Sequence, residues 1–152
     1  MTPPAKPDPE PTALAGAPAS RGLRVLVVDD NQDATDTMAM LLGLWGYDVR
    51  TARDGNDALA VSAEHRPDVA LLDIGLPGMS GYELAEKMRL LAGLEETVLV
   101  AMTGYGEAQD KEKSRQAGLT IHLVKPVHPD ALQKLLATMV PRRSPAASGG
   151  AS

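Results

Sequence analysis

The sequence predicts an α/β domain in which helices cover both faces of a parallel β-sheet, and three observations carry that prediction. Five short strand-like runs recur between residues 22 and 140: "LRVLVV", "DVRTA", "DVALL", "TVLVAM" and "TIHLV". The segments between and after them repeat apolar residues every three to four positions, the period of one helix face. Strand and helix alternate without interruption, a rhythm that a parallel sheet with right-handed crossovers satisfies.

Taken in order, Leu23–Val28 is the first buried strand, and "ATDTMAMLLGLW" the first helix. Met38, Leu41, Leu42 and Trp45 fall on one face of it, with Trp45 a packing residue. Asp33 reads as the N-cap of that helix, and Asp36 as a favourable charge in its first turn. Asp48–Ala52 is the second strand, and "GNDALAVSAEH" a helix facing inward through Ala58, Leu59 and Ser62. Asp54 and Asp57 are expected to serve as turn and first-turn residues.

Asp68–Leu72 is the third strand, closed by Asp73 and the breaker-rich loop "GLPGMSG". "YELAEKMRLL" follows with Leu84, Met88 and Leu91 at helical spacing, then Thr97–Met102 as the fourth strand. Residues 107–117 read as a helix with only Ala108 and Ala117 to offer a core. Thr120–Val124 is the fifth strand, and residues 130–140 the last helix, facing inward through Leu132, Leu135, Leu136 and Met139. His65 and His128 sit among polar residues beside Pro-containing turns, so both are expected at the surface.

Composition bounds the function. The chain has 152 residues, room for one domain with a proper core. Six of its twelve prolines lie in residues 1–20, and it closes in "PRRSPAASGGAS". These shifts predict disordered tails at 1–21 and 141–152 around a folded unit at 22–140. A formal charge of −5 argues against a nucleic-acid surface, which leans on Lys and Arg. With no Cys, disulfides and thiolate metal sites are excluded. No run approaches the ~18 apolar residues of a membrane span, and the N-terminus lacks a signal-peptide pattern. The expected setting is cytoplasmic.

The chemistry gathers where the apolar runs stop. In an open parallel sheet, ligands bind at the carboxyl ends of the strands. There the chain places Asp29 and Asp30 after the first strand, Asp73 after the third, Thr103 after the fourth and Lys125 after the fifth. Crowded carboxylates resist ionisation unless a cation offsets them. All-oxygen ligation by few protein groups suits Mg²⁺, which keeps several waters and pairs with phosphate. Thr103 and Lys125 are then placed to meet phosphoryl oxygens, and a carboxylate in such surroundings can accept a phosphoryl group.

The motifs "VLVVDD", "VALLDIGLPGMSGYE", "AMTGYG" and "HLVKPV", in that order over about residues 23–140, resemble the receiver domain of two-component response regulators. The resemblance implies a flavodoxin-like sheet in the order 2-1-3-4-5 with five helices. It also implies that Asp73 accepts a phosphoryl group from a phosphohistidine donor. Asp30 and Asp73 would ligate Mg²⁺ directly, Asp29 mainly through a water, and Gly75 through its backbone carbonyl. Lys125 would hold a phosphoryl oxygen, Thr103 would move toward the phosphoryl group, and the Lys125–Pro126 bond would be cis. Tyr105 falls where family members vary and where access of the hydrolytic water is tuned.

Such a domain is no enzyme toward other substrates and catalyses only its own phosphorylation and dephosphorylation. Its expected partners are a sensor histidine kinase or a histidine phosphotransfer protein, with a further protein target downstream. One position departs from the commonest pattern: His122 stands where many receivers carry a Tyr or Phe that moves with the Thr. It is either a switch residue, with a pH dependence of its own, or a static half-buried histidine. Residues 107–117, the fifth strand and the last helix are expected to form the face that responds.

Only twelve residues follow Val140, so no DNA-binding output domain is expected, leaving a stand-alone receiver or one of the type fused to hybrid histidine kinases. The alternative function is a phosphorylation-independent interaction module on the same fold. A flavodoxin-type cofactor binder fits poorly, because "DDNQD" would repel a phosphate. A haloacid-dehalogenase-type phosphatase expects a second Asp where Gly75 stands.

Overall fold

The computed structural model describes residues 22–104 and 111–139. The expected tails, Tyr105, Ala108 and the beginning of the 107–117 segment lie outside the described residues. The elements run β1 (Arg24–Val28), α1 (Gln32–Leu44), β2 (Asp48–Ala52), α2 (Gly55–His65), β3 (Val69–Asp73), α3 (Gly81–Arg89), β4 (Val98–Gly104), α4 (Lys111–Ala117), β5 (Leu119–Lys125) and α5 (Pro129–Ala137). The strands form one parallel sheet in the order β2-β1-β3-β4-β5. This is the flavodoxin-like arrangement, and no described helix is long and apolar enough to cross a membrane.

Side chains alternate between the faces of each strand, so each strand feeds two cores. Leu26, Val28, Ala70, Leu72 and Ala101 pack with Ala58 of α2, Leu84 and Met88 of α3 and Ala117 of α4. Val25, Val27, Leu71, Val100 and Met102 pack on the other face with Leu42 of α1 and Leu132 and Leu136 of α5. Trp45 lies against this second core, as its helical spacing predicts. β3 is buried at every position, which is why its sequence is a continuous apolar run closed by one acid.

Caps fix where the helices begin. Asn31, not Asp33, caps α1: its side-chain oxygen accepts from the Ala34 N–H at 3.1 Å. Asp33 is an exposed first-turn residue, because the helix starts two positions earlier than expected. Asp54 caps α2 through the Asp57 N–H. Ser80 and Glu83 form a reciprocal capping box on α3. His128, exposed as expected, caps α5.

The amino-terminal edge of the sheet is braced by polar groups. The Arg89 guanidinium donates to the carbonyls of Leu94, Glu95, Thr97 and Gly118. Asp68 accepts from the Arg24 N–H at 2.9 Å, and the Thr97 hydroxyl donates to Pro67 O at 2.8 Å. His65 belongs to this brace and not to the surface: it is 5% exposed, its Nε2 lies 3.2 Å from Asp48 O, and its carbonyl accepts from Arg24. Burial holds its imidazole below the ordinary value, against the raising influence of Asp48.

Candidate functional site

The chain leaves β1 for β2 on one side and reaches β3 on the other, so the carboxyl ends of β1 and β3 flank the point where strand order reverses. Asp29 follows β1 directly and Asp73 is the last residue of β3. Strand pairing sets Val28 beside Leu72, and Asp73 beside Met102 of β4. The Asp29 N–H donates to Ala52 O at 3.1 Å and the Ile74 N–H to Met102 O at 3.0 Å. Both acids are therefore held on sheet backbone.

One carboxylate oxygen from each of Asp29, Asp30 and Asp73 lies within 4.8 Å of the others. Asp29 and Asp73 are buried, 2% and 5% exposed, whereas Asp30 faces solvent. Lys125 Nζ enters from the end of β5 and lies 3.1 Å from Asp29 Oδ2 and 3.3 Å from Asp73 Oδ2. The Lys125–Pro126 peptide bond is cis. Thr103 is 1% exposed, near the end of β4 and paired with Val124. Gly75 lies in the exposed loop after Asp73 and donates its N–H to Asp73 Oδ1 at 3.0 Å.

Burial pushes the Asp73 carboxyl above its ordinary value. The Gly75 N–H and the Lys125 charge pull it back, and the Asp29 charge pushes it up. Burial works the other way on Lys125, but hydrogen bonding to Asp29 and the charges of Asp73 and Asp29 outweigh it and hold the ammonium above its ordinary range. Asp29 and Asp73 thus share the Lys125 ammonium while Asp30 adds a third carboxylate beside them, so among the described residues the edge is short of positive charge. That donor set, hard oxygens on a half-open edge, fits a divalent cation that keeps part of its water shell.

Two contributors stand outside the expected site. The Asn31 N–H donates to Asp29 Oδ1 at 3.0 Å while its side chain caps α1, so the helix start and the acid are fixed together. Asn ranks beside Asp as an N-cap, which makes this readable in "DDNQD". Ser114, buried on α4, bonds His122 Nε2 at 2.9 Å, so that helix presents a hydroxyl to the sheet as well as Ala117. His122 is half-buried on β5, beside Ala101 of β4.

The comparisons with known proteins agree with this geometry. Residues 25–137 match the response regulator receiver domain family. The sensor histidine kinase RcsC of Salmonella typhi is 37% identical over 132 residues, which cover 87% of this chain and 14% of that protein. The chain thus spans a small part of the length of such kinases. Sporulation initiation phosphotransferase F of Bacillus subtilis is 30% identical over 121 residues, 80% of this chain and 96% of that one. Chemotaxis protein CheY4 of Vibrio cholerae superposes with a TM-score of 0.72 at 31% identity, over 78% of this chain and 99% of that one. The receiver domain of sensor histidine kinase PA1611 from Pseudomonas aeruginosa, solved with a magnesium ion in its active-site cleft, gives a TM-score of 0.69 at 29% identity, over 77% and 96%. Fold, acidic edge and relatives lead to one conclusion: the chain belongs to the response regulator receiver domain family of two-component signalling.

Proposed function

We propose that Asp73 accepts a phosphoryl group from a phosphohistidine donor, with Mg²⁺ held at the same edge. The observation that carries this is the meeting of Asp73 with Asp29, Asp30 and the Lys125 ammonium within hydrogen-bonding or ligating distance. In the transfer, an Asp73 carboxylate oxygen attacks phosphorus in line. The new O–P bond forms as the P–N bond to the donor imidazole breaks, and the imidazole leaves with that electron pair and takes up a proton. Lys125 exchanges a carboxylate partner for a phosphoryl oxygen, which offsets charge as it moves. The Thr103 hydroxyl supplies a further donor from β4.

Asp29, Asp30, Asp73 and the Gly75 carbonyl are the groups that would hold the ion. Bound there, it would neutralise the acids and orient phosphoryl oxygens. The donor is a sensor histidine kinase or a histidine phosphotransfer protein, a reading supported by the kinase and phosphotransferase relatives. The chain catalyses its own phosphorylation and hydrolysis, acts on no other substrate, and works in the cytoplasm through a downstream protein target.

The test is intact mass after incubation with acetyl phosphate, with and without Mg²⁺, beside Asp73→Asn. A single Mg²⁺-dependent phosphoryl adduct, missing from the variant, is the expected result. Folded wild-type protein that gains no adduct would overturn the proposal and leave a receiver fold that acts by binding alone.

A further inference from the structure

The segment between Asp73 and α3 is tied down at both ends and exposed between them. The Ile74 N–H donates to Met102 O at its start, and the Gly81 N–H donates to Ile74 O at its close. Ile74 and Leu76 are buried in the core beneath α2 and α3, and Gly75 stands exposed between them. Beyond Leu76 the chain turns at Pro77 and Gly78, and the Met79 N–H donates back to Pro77 O at 2.9 Å. This turn overhangs the start of α2: Asp54, Gly55, Asn56, Pro77, Gly78 and Met79 line one cleft.

Met79 fills the space directly above Gly55. A Cβ at Gly55 would lie 2.4 Å from Met79 Sδ and 2.9 Å from both its Cβ and its Cε. The thioether end of a methionine can swing to another rotamer, but its Cβ goes only where the backbone goes. The closeness of Met79 Cβ therefore means that the loop backbone itself is seated on the first turn of α2. Gly55 is buried and does not have a positive φ, so glycine is needed there for the space and not for its backbone angles.

We propose that Met79, seated on Gly55, is a positioning residue for the acidic edge. It ties the loop to α2 and so fixes Gly75, whose N–H holds Asp73 Oδ1 at 3.0 Å and whose carbonyl is among the groups proposed for the ion. This role rests on the reading of the edge as an Mg²⁺ site. α2 becomes a wall of that site without contributing a ligand. Groups that stand behind the ligands and fix their orientation are typically worth about tenfold or more in metal affinity.

Isothermal titration of the full chain with MgCl₂ tests the role. Gly55→Ala should weaken Mg²⁺ binding about tenfold, and Met79→Ala by a similar factor. Met79→Leu, close to methionine in volume, should stay within about twofold of wild type. Both changes break one contact, so the double variant should bind no more weakly than the weaker single. Leu135→Ala, a truncation in the opposite core, should lower Tm and leave the affinity alone, which separates positioning from loss of stability. With acetyl phosphate, the Mg²⁺ concentration for half-maximal adduct formation should rise in Gly55→Ala, while the rate at saturating Mg²⁺ stays close to wild type. Wild-type affinity in folded Gly55→Ala and Met79→Ala, or effects that multiply in the double variant, would overturn the positioning role. Wild-type protein that binds no Mg²⁺ would instead defeat the metal reading, and the role with it.

Discussion

Gly81, the first residue of α3, offers a sharp test of how the acidic edge is built. Its N–H donates to Ile74 O at 3.0 Å, which closes the loop that leaves Asp73. A Cβ placed there would lie 2.6 Å from Asp73 O and 2.8 Å from Ile74 Cα, both backbone atoms at the end of a central strand. Carbon atoms pack best at ~3.5–4.0 Å, so Gly81→Ala must push α3 and the Asp73 backbone apart by roughly 0.7 Å or more. Overpacking of this kind costs ~1–3 kcal/mol. For a domain of this size that is a fall in Tm of roughly 4–12 °C.

Gly43→Ala is the matched control. Gly43 lies inside α1 with no described atom beyond its chain neighbours and its own helix backbone within 4 Å of its would-be Cβ, so the same methyl should stabilise by ~0.5–1 kcal/mol through helix propensity. Thermal unfolding followed by circular dichroism should therefore move in opposite directions for the two variants. Gly81→Ala should also slow adduct formation on Asp73. A Gly81→Ala protein that melts at or above wild type would refute the steric account of this turn.

Three more outcomes are expected. Without divalent cation, Asp73→Asn should melt higher than wild type at neutral pH: burial raises this carboxyl in the fold, so its stability contribution falls as pH climbs from the ordinary 3.8 through the raised value, and the difference should close below 3.8. For His65 the shift is opposite and the loss lies on the acid side, since the unfolded chain binds the proton more tightly; urea denaturation at stepped pH should show wild type losing stability as pH drops through 6.5, with His65→Gln flatter over that range. Ser62 Oγ is buried without a hydrogen-bond partner, so Ser62→Ala should stabilise by about 1 kcal/mol, and a lower Tm would point to a partner for that hydroxyl.

The acidic edge was legible in the sequence because each of its residues closes an apolar run. Asp29, Asp73, Thr103 and Lys125 need no tertiary knowledge beyond the rule that parallel strands end together. Thr103 and Lys125 prove to be inside their strands, a boundary shift of a residue or two that leaves their placement unchanged. The polar residues buried elsewhere were harder to read. His65 sits between Glu64 and Arg66, which suggests a surface, yet it shares a helical stripe with Ala58 and Ser62, and that stripe decided its burial. Ser114 shares a stripe with Ala117, but its partner His122 lies across the turn on another element, a pairing no local pattern encodes. Asn31 and Asp33 are both good caps, and only the starting point of α1 separates them.

The two ends of the sheet carry opposite kinds of polar chemistry. At the amino-terminal edge, Arg24, His65, Asp68, Arg89 and Thr97 meet neighbouring backbone groups. At the carboxyl-terminal edge, three acids lie together and two of them share the Lys125 ammonium. Cohesion and reactivity are therefore assigned to different poles of one molecule. Mutational tolerance should divide along the same axis: the acidic pole can be neutralised residue by residue with the stability of the domain kept or raised, whereas truncations at the cohesive pole should each lower it.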